Sequence, residues 1–199
     1  MDIRNVTQTL TAAMTEEAYR NGLFPMGNPE DGFVTWHRPN RRAVLPLDGF
    51  HVSRSLQHTL KKAAFEVSFN RDFEGVMRAC ARTGEDSWIT EEFIQVYGEL
   101  QKAGKAHSVE IWVDGLLAGG VYGVHLGAGF FAESKFHRVR DMSKVALAHL
   151  VFRLRERGFK LLEVQYLTPH LERFGVVEVS NRDYLTMLAE ALRDDCRFP

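Results

Sequence analysis

Two carboxylates and an amide are the residues of this chain best placed to do chemistry. Glu133 is a single acid that follows Phe130-Phe131-Ala132 at the end of a long apolar stretch. Glu163 and Gln165 stand two apart in a run where Leu162, Val164 and Tyr166 alternate with them. Successive side chains of a strand point to opposite faces, so alternation predicts that Glu163 and Gln165 share one. A carboxylate held away from water needs a cation or a hydrogen-bond donor, and it can take up a proton. The third group is basic. Arg38, Arg41, Arg42, Arg54, Lys61 and Lys62 fall in the segment 38–62, which holds one acid, Asp48. Such a segment is either a solvated face or a surface for phosphate, because Lys and Arg laid against a nucleic-acid backbone supply most of the sequence-independent affinity.

The elements that must position these groups are readable from periodicity. Val109, Ile111 and Val113 alternate as in a half-buried strand, and Asp114-Gly115 is a strong hairpin signal. The second strand, Leu116 to Val124, contains Gly119-Gly120, which marks a bulge or a close approach of another backbone or a ligand. Gly127 and Gly129 flank a further turn, and the third strand then carries Glu133. Asp141 or Ser143 opens a helix with Leu147, Leu150, Val151 and Leu154 facing the core. A strand over 160–167, a short helical turn from Pro169, a strand over 176–179 and a helix capped by Ser180 and Asp183 complete the chain. Upstream, the pattern predicts a helix over 1–20 stopped by Asn21-Gly22. A strand through Trp36 then runs into a basic turn at Arg41-Arg42, and a helix follows over 53–64. A strand over 65–69, an Asp72-capped helix and a Thr90-capped helix lead into the meander. An antiparallel meander followed by helix and strand is an α+β layout.

Bulk properties exclude several classes. The formal net charge of -1 gives the whole molecule no bias towards nucleic acid or membrane, and 45% hydrophobic residues is the content of an ordinary folded protein. Cys80 and Cys196 are the only cysteines, far apart and without metal-ligand spacing, so neither a zinc ribbon nor a disulfide framework is expected and a reducing compartment is. No leader pattern and no apolar run of membrane-spanning length occurs, and a cytoplasmic monomer is the expectation.

Several blocks together resemble the leucyl/phenylalanyl-tRNA–protein transferase family. They are Y-R-N-G-L-F-P (19–25), S-W-I-T (87–90), A-H-S-V-E-I-W (106–112), G-G-V-Y-G-V (119–124), E-S-K-F (133–136), S-K-V-A-L (143–147), Glu163-x-Gln165 and H-L-x-x-x-G (170–175). The resemblance implies a small N-terminal α/β domain, 1–63, beside a C-terminal acetyltransferase-like (GNAT) domain, 64–199, with a mixed, largely antiparallel central sheet. It implies transfer of leucine or phenylalanine from aminoacyl-tRNA to the N-terminal Lys or Arg of acceptor proteins, which marks them for degradation, with no metal or other cofactor. In that scheme Glu163 takes up the charge of the attacking amine and Gln165 orients or relays its proton. Glu133 holds the α-amino group of the transferred amino acid. Val121, Phe130, Leu150 and Leu162 form the apolar wall of its pocket, Tyr19, Trp88 and Tyr97 surround the terminal adenosine, and the basic segment meets tRNA phosphates. Three positions depart from the family pattern, which carries Asp at Glu163, Trp at Met26 and Met at Lys135. The alternatives are an N-acyltransferase that uses acyl-coenzyme A, and a non-catalytic tRNA- or peptide-binding module. The first would be marked by a glycine-rich phosphate turn before the Ser143 helix, where the chain has Arg138 to Met142 without glycine.

Overall fold

A computed structural model describes residues 3–62, 64–81 and 87–199, and the Lys62 side chain lies outside that description. Seven strands form the main sheet in the order β10-β4-β9-β8-β7-β6-β5. Here β4 is Arg41–Val44, β5 Glu66–Phe69, β6 Ala106–Val113, β7 Leu116–Leu126, β8 Gly129–His137, β9 Leu161–Glu163 and β10 Val177–Ser180. Every pairing is antiparallel except β8 with β9, so the sheet is mixed and largely antiparallel, as expected. A second, three-stranded sheet joins β1 (Ile3–Thr7), β3 (Val34–His37) and β2 (Phe24–Gly27).

The two faces of the main sheet bury separate apolar clusters. One is shared with helices α1 (Ala12–Arg20), α3 (Phe73–Cys80), α4 (Glu91–Lys102) and α7 (Asn181–Ala191). The other is filled by α5 (Met142–Glu156), with Leu56 of α2 (Arg54–Lys62) and the C-terminal Phe198. Nine of the fifteen α5 residues are buried, from Met142 to Leu154. A helix apolar on most of its circumference belongs inside the molecule.

Local chemistry explains most of the boundaries. Asp114 and Gly115 both have positive φ, 51° and 75°, the twist that a two-residue hairpin needs. A Cβ on Gly119 would meet Met142 Cβ at 2.6 Å, and the β6–β7 register slips by one residue beside it. Both expectations for the Gly119-Gly120 pair, a bulge and a close approach, are met there. Ser180 caps α7 by accepting from Asp183 N at 3.1 Å and donating to Asp183 Oδ2 at 2.7 Å. Ser180→Ala should lower stability by about 1 kcal/mol, measured as the urea midpoint at constant m-value.

Two expectations are corrected. The helix over 1–20 begins only at Ala12, because Ile3–Thr7 pairs with β3 instead. Arg41 and Arg42 are strand, not turn, since β4 is hydrogen-bonded to β10 and β9. That pairing puts a strand of the segment 1–63 inside the main sheet, and the chain passes from one sheet to the other between His37 and Arg41.

Candidate active site

The site is a gap in the main sheet. β8 and β9 run parallel through three pairs, Gly129 with Leu161, Phe130 with Leu162 and Phe131 with Glu163, and β9 then ends. A cavity of about 180 Å³ opens between Ala132–Lys135 on one side and Val164–Gln165 on the other. Val121 and Leu147 contribute apolar wall from β7 and α5, and Leu171 does so from α6 (Pro169–Glu172).

A bulge delivers Glu133 to this gap. The β7–β8 register pairs Tyr122 with Ser134 but Gly123 with Ala132, leaving Glu133 as the extra residue. Extra residues of this kind re-aim a side chain. Gly123 permits the crowding, because a Cβ there would sit 2.3 Å from Phe131 O. Glu133 Oε1 accepts from the Tyr19 hydroxyl and from Gln165 Nε2 at 3.1 Å. Tyr19 has one proton and gives it to Glu133, so the Tyr97 hydroxyl, 3.0 Å away, donates to Tyr19. Burial raises the pKa of both phenols well above normal, and the nearby Glu133 raises them further.

Burial also pushes the Glu133 carboxyl up to about 8, with the Tyr19 hydrogen bond opposing and the Glu163 charge reinforcing the shift. The sign of the resulting pH dependence is fixed. Between the ordinary value of 4.5 and about 8 the native carboxyl keeps a proton that the unfolded chain has released, so stability falls as pH rises through that window. Glu133→Gln should therefore flatten the melting temperature between pH 5 and 8 and raise it most at pH 8, as read by calorimetry.

Glu163 occupies a different environment. It is fully buried and does not line the cavity. Its Oε1 receives Arg42 Nε at 2.8 Å and the Gln165 backbone N–H at 2.7 Å, while Oε2 has no hydrogen-bond partner among the described residues. The strand expected over 160–167 stops at Glu163, and Gln165 adopts φ 58°. The acid and amide are thus brought together by a backbone reversal, not by a shared strand face. Only Gln165 of the two reaches the cavity.

Other expected positions divide as follows. Val121 and Glu133 line the cavity, whereas Phe130, Leu150 and Leu162 are buried in the α5-side core. Phe130 is held there by the Phe198 ring at 5.4 Å. Leu147 lies one helical turn before Leu150 on the same stripe, and periodicity cannot choose between them. Tyr19 and Tyr97 are fully buried and leave no ring face for a base; Trp88 is half-buried, edge-on to Phe93 at 5.5 Å. Of the basic segment, Arg41, Arg54 and Lys61 are exposed and Arg38 is half-buried, donating to Asn21 O at 2.6 Å. Arg42 is removed from that surface altogether, since its guanidinium is fully buried against Glu163. Lys135 lines the cavity with no carboxylate partner among the described residues, and burial lowers its pKa. No group of His, Cys, Asp and Glu suited to a metal ion occurs among the described residues, and no described helix is long and apolar enough to cross a membrane.

Solved structures resembling the chain include the L-PGS structure from Bacillus licheniformis (11% identity, TM-score 0.47, 94% of this chain and 72% of that one). A ribosomal-protein-alanine N-acetyltransferase from Brucella melitensis matches at 18% identity and TM-score 0.39, over 55% of this chain and 86% of that one. Sequence relatives are much nearer. Proteins named leucyl/phenylalanyl-tRNA–protein transferase match from Rubrobacter xylanophilus (51% identity, 95% of this chain and 98% of that one) and Salinibacter ruber (50%, 92% and 80%). Another from Herpetosiphon aurantiacus is 45% identical, covering 97% of this chain and all of that one. These matches place the chain among the aminoacyltransferases. The family model described as leucyl/phenylalanyl-tRNA protein transferase matches residues 44–189, and the chain belongs to that family.

Proposed function

We propose that this protein moves leucine or phenylalanine from aminoacyl-tRNA to the N-terminal Lys or Arg of acceptor proteins, acting as a monomer and marking them for degradation. The observation that supports it most is the cavity at the β8–β9 gap, apolar along Val121, Leu147 and Leu171 and lined also by Glu133. An apolar cavity of about 150 Å³ takes up a benzene ring, so a volume of about 180 Å³ suits either side chain. The Glu133 carboxylate then meets the α-ammonium group of the same amino acid, and Gln165 fixes that carboxylate's direction. The ester carbon of the donor is already activated, so holding it against an amine with water excluded supplies much of the rate and no cofactor is required.

The start of α5 speaks against coenzyme A as the acyl donor. Its cap is Asp141, whose carboxylate is bound by Lys144 at 2.7 Å, and a negative charge stands where a pyrophosphate would need bare N–H groups. Transfer of radiolabelled leucine and phenylalanine from charged tRNA to a peptide beginning with Arg tests the proposal. Absence of product from both tRNAs with the wild-type protein sinks it.

The donor's phosphates fit the exposed face of α2. Arg54 and Lys61 lie seven residues apart on one side of the helix and neither has an acid partner among the described residues. Arg41 instead pairs with Glu178 at 3.4 Å. The double change Arg54→Ala/Lys61→Ala should make the slope of log K against log salt shallower by about 1.5, for every tRNA alike. Filter binding across a salt series measures it.

A further inference from the structure

We propose that Arg42 and Glu163 are positioning residues that touch no substrate: they hold Gln165 in the backbone conformation from which its amide reaches Glu133. The inference rests on the transferase reading of the cavity, but its geometry stands without it.

Gln165 is in an unfavourable conformation. Its φ of 58° lies in the left-handed region, and Tyr166 N bonds Val164 O at 2.8 Å across it. A three-residue turn with positive φ at its centre is rare and strained, and such strain persists only where the surroundings over-determine it. Strand β4 provides the surroundings. Ala43 N donates to Gln165 O at 3.1 Å and Ala43 O accepts from Val164 N at 3.0 Å, gripping the turn from both sides. The Gln165 N–H, turned away from any ladder, ends on Glu163 Oε1 at 2.7 Å.

Glu163 can serve this way only because Arg42 holds it. Arg42 Nε reaches the same oxygen at 2.8 Å, Nη1 donates to Gly22 O at 3.0 Å and Nη2 to the Tyr184 hydroxyl at 3.4 Å. The guanidinium lies between the Phe24 and Tyr184 rings, 4.7 and 4.4 Å from their centroids. Gly22 lies two residues past the end of α1, the helix that carries Tyr19. Both described donors to Glu133, Tyr19 and Gln165, are therefore tied back to one buried guanidinium.

The experiment separates a hydrogen-bond acceptor from a charge. Glu163→Gln keeps an oxygen for the Gln165 N–H; the pair Arg42→Met/Glu163→Leu removes that oxygen while leaving no unpaired buried charge. Positioning predicts that Glu163→Gln keeps transfer within about tenfold of wild type with an unshifted pH midpoint. It also predicts that the Met/Leu pair loses at least about a hundredfold in kcat/KM for the donor. Should Glu163→Gln not fold, Arg42→Gln/Glu163→Gln takes its place with the same expectation. A Glu163→Gln protein as inactive as the Met/Leu pair overturns the proposal, because the charge itself would then be acting on substrate. Hydrogen exchange at the Gln165 amide gives a readout independent of activity: protected in wild type and exposed in the Met/Leu pair, or, if equally protected in both, evidence against the proposal. Loss of wild-type transfer with that exchange pattern intact would refute the transferase reading alone.

Discussion

Glu133→Gln should lower kcat/KM for the aminoacyl donor by roughly 10²–10⁴, the largest effect expected from any single substitution here. An uncompensated ammonium inside a half-closed cavity loses about 3–5 kcal/mol of pairing, and each 1.4 kcal/mol is a factor of ten. The wild-type kcat/KM should rise with pH through an apparent pKa near 8, because that parameter reports ionisation of the free enzyme and the Glu133 carboxyl sits at about 8. The Gln variant should lose that limb. Transfer assays from pH 6 to 9 decide it, and a Gln variant that keeps both rate and limb would remove Glu133 from the site.

Arg42→Met should cost about 3–5 kcal/mol of stability and roughly 10 °C in melting temperature. The change leaves Glu163 buried without its cation and strips Gly22 O and the Tyr184 hydroxyl of their donor. Arg41→Met, one residue earlier in the same strand, is the control. Its partner Glu178 is 3.4 Å away at the surface, where such pairs contribute about 0–1 kcal/mol. Paired thermal melts should differ by several degrees; equal melting temperatures would mean that the buried guanidinium is not what holds β4 to α7 and β9.

The neighbouring fates of Arg41 and Arg42 show where sequence reasoning stops. Charge counting groups them, yet a strand sends adjacent side chains to opposite faces, and only knowledge of what β4 pairs with says which face is interior. The meander, its Asp114-Gly115 turn and the cap of α7 depend on contacts within a few residues, and they were legible for that reason. Glu133 was legible as an isolated acid at the end of an apolar run, and the family blocks agree with it. Its bulge was not, since the register slip arises where β7 meets β8. Leu147 and Leu150 were inseparable because the gap beyond Phe131, not the helix stripe, selects the wall. The Gln165 turn carries no glycine or asparagine to announce it; its strain is borne by Glu163 and Ala43, the second of these far away in the chain.

The position of β4 also bears on how the molecule is made. Val44 pairs with Glu163 and Val177, strands that leave the ribosome more than a hundred residues later. Contacts of such high sequence separation form slowly and only once both partners exist. A nascent chain must carry β4 unpaired through most of its synthesis, with exposed strand edges of the kind that recruit chaperones. Arg42 meets its carboxylate only near the end, so the last step of assembly is also the one that sets the site, and a truncated product would be inert rather than partly active.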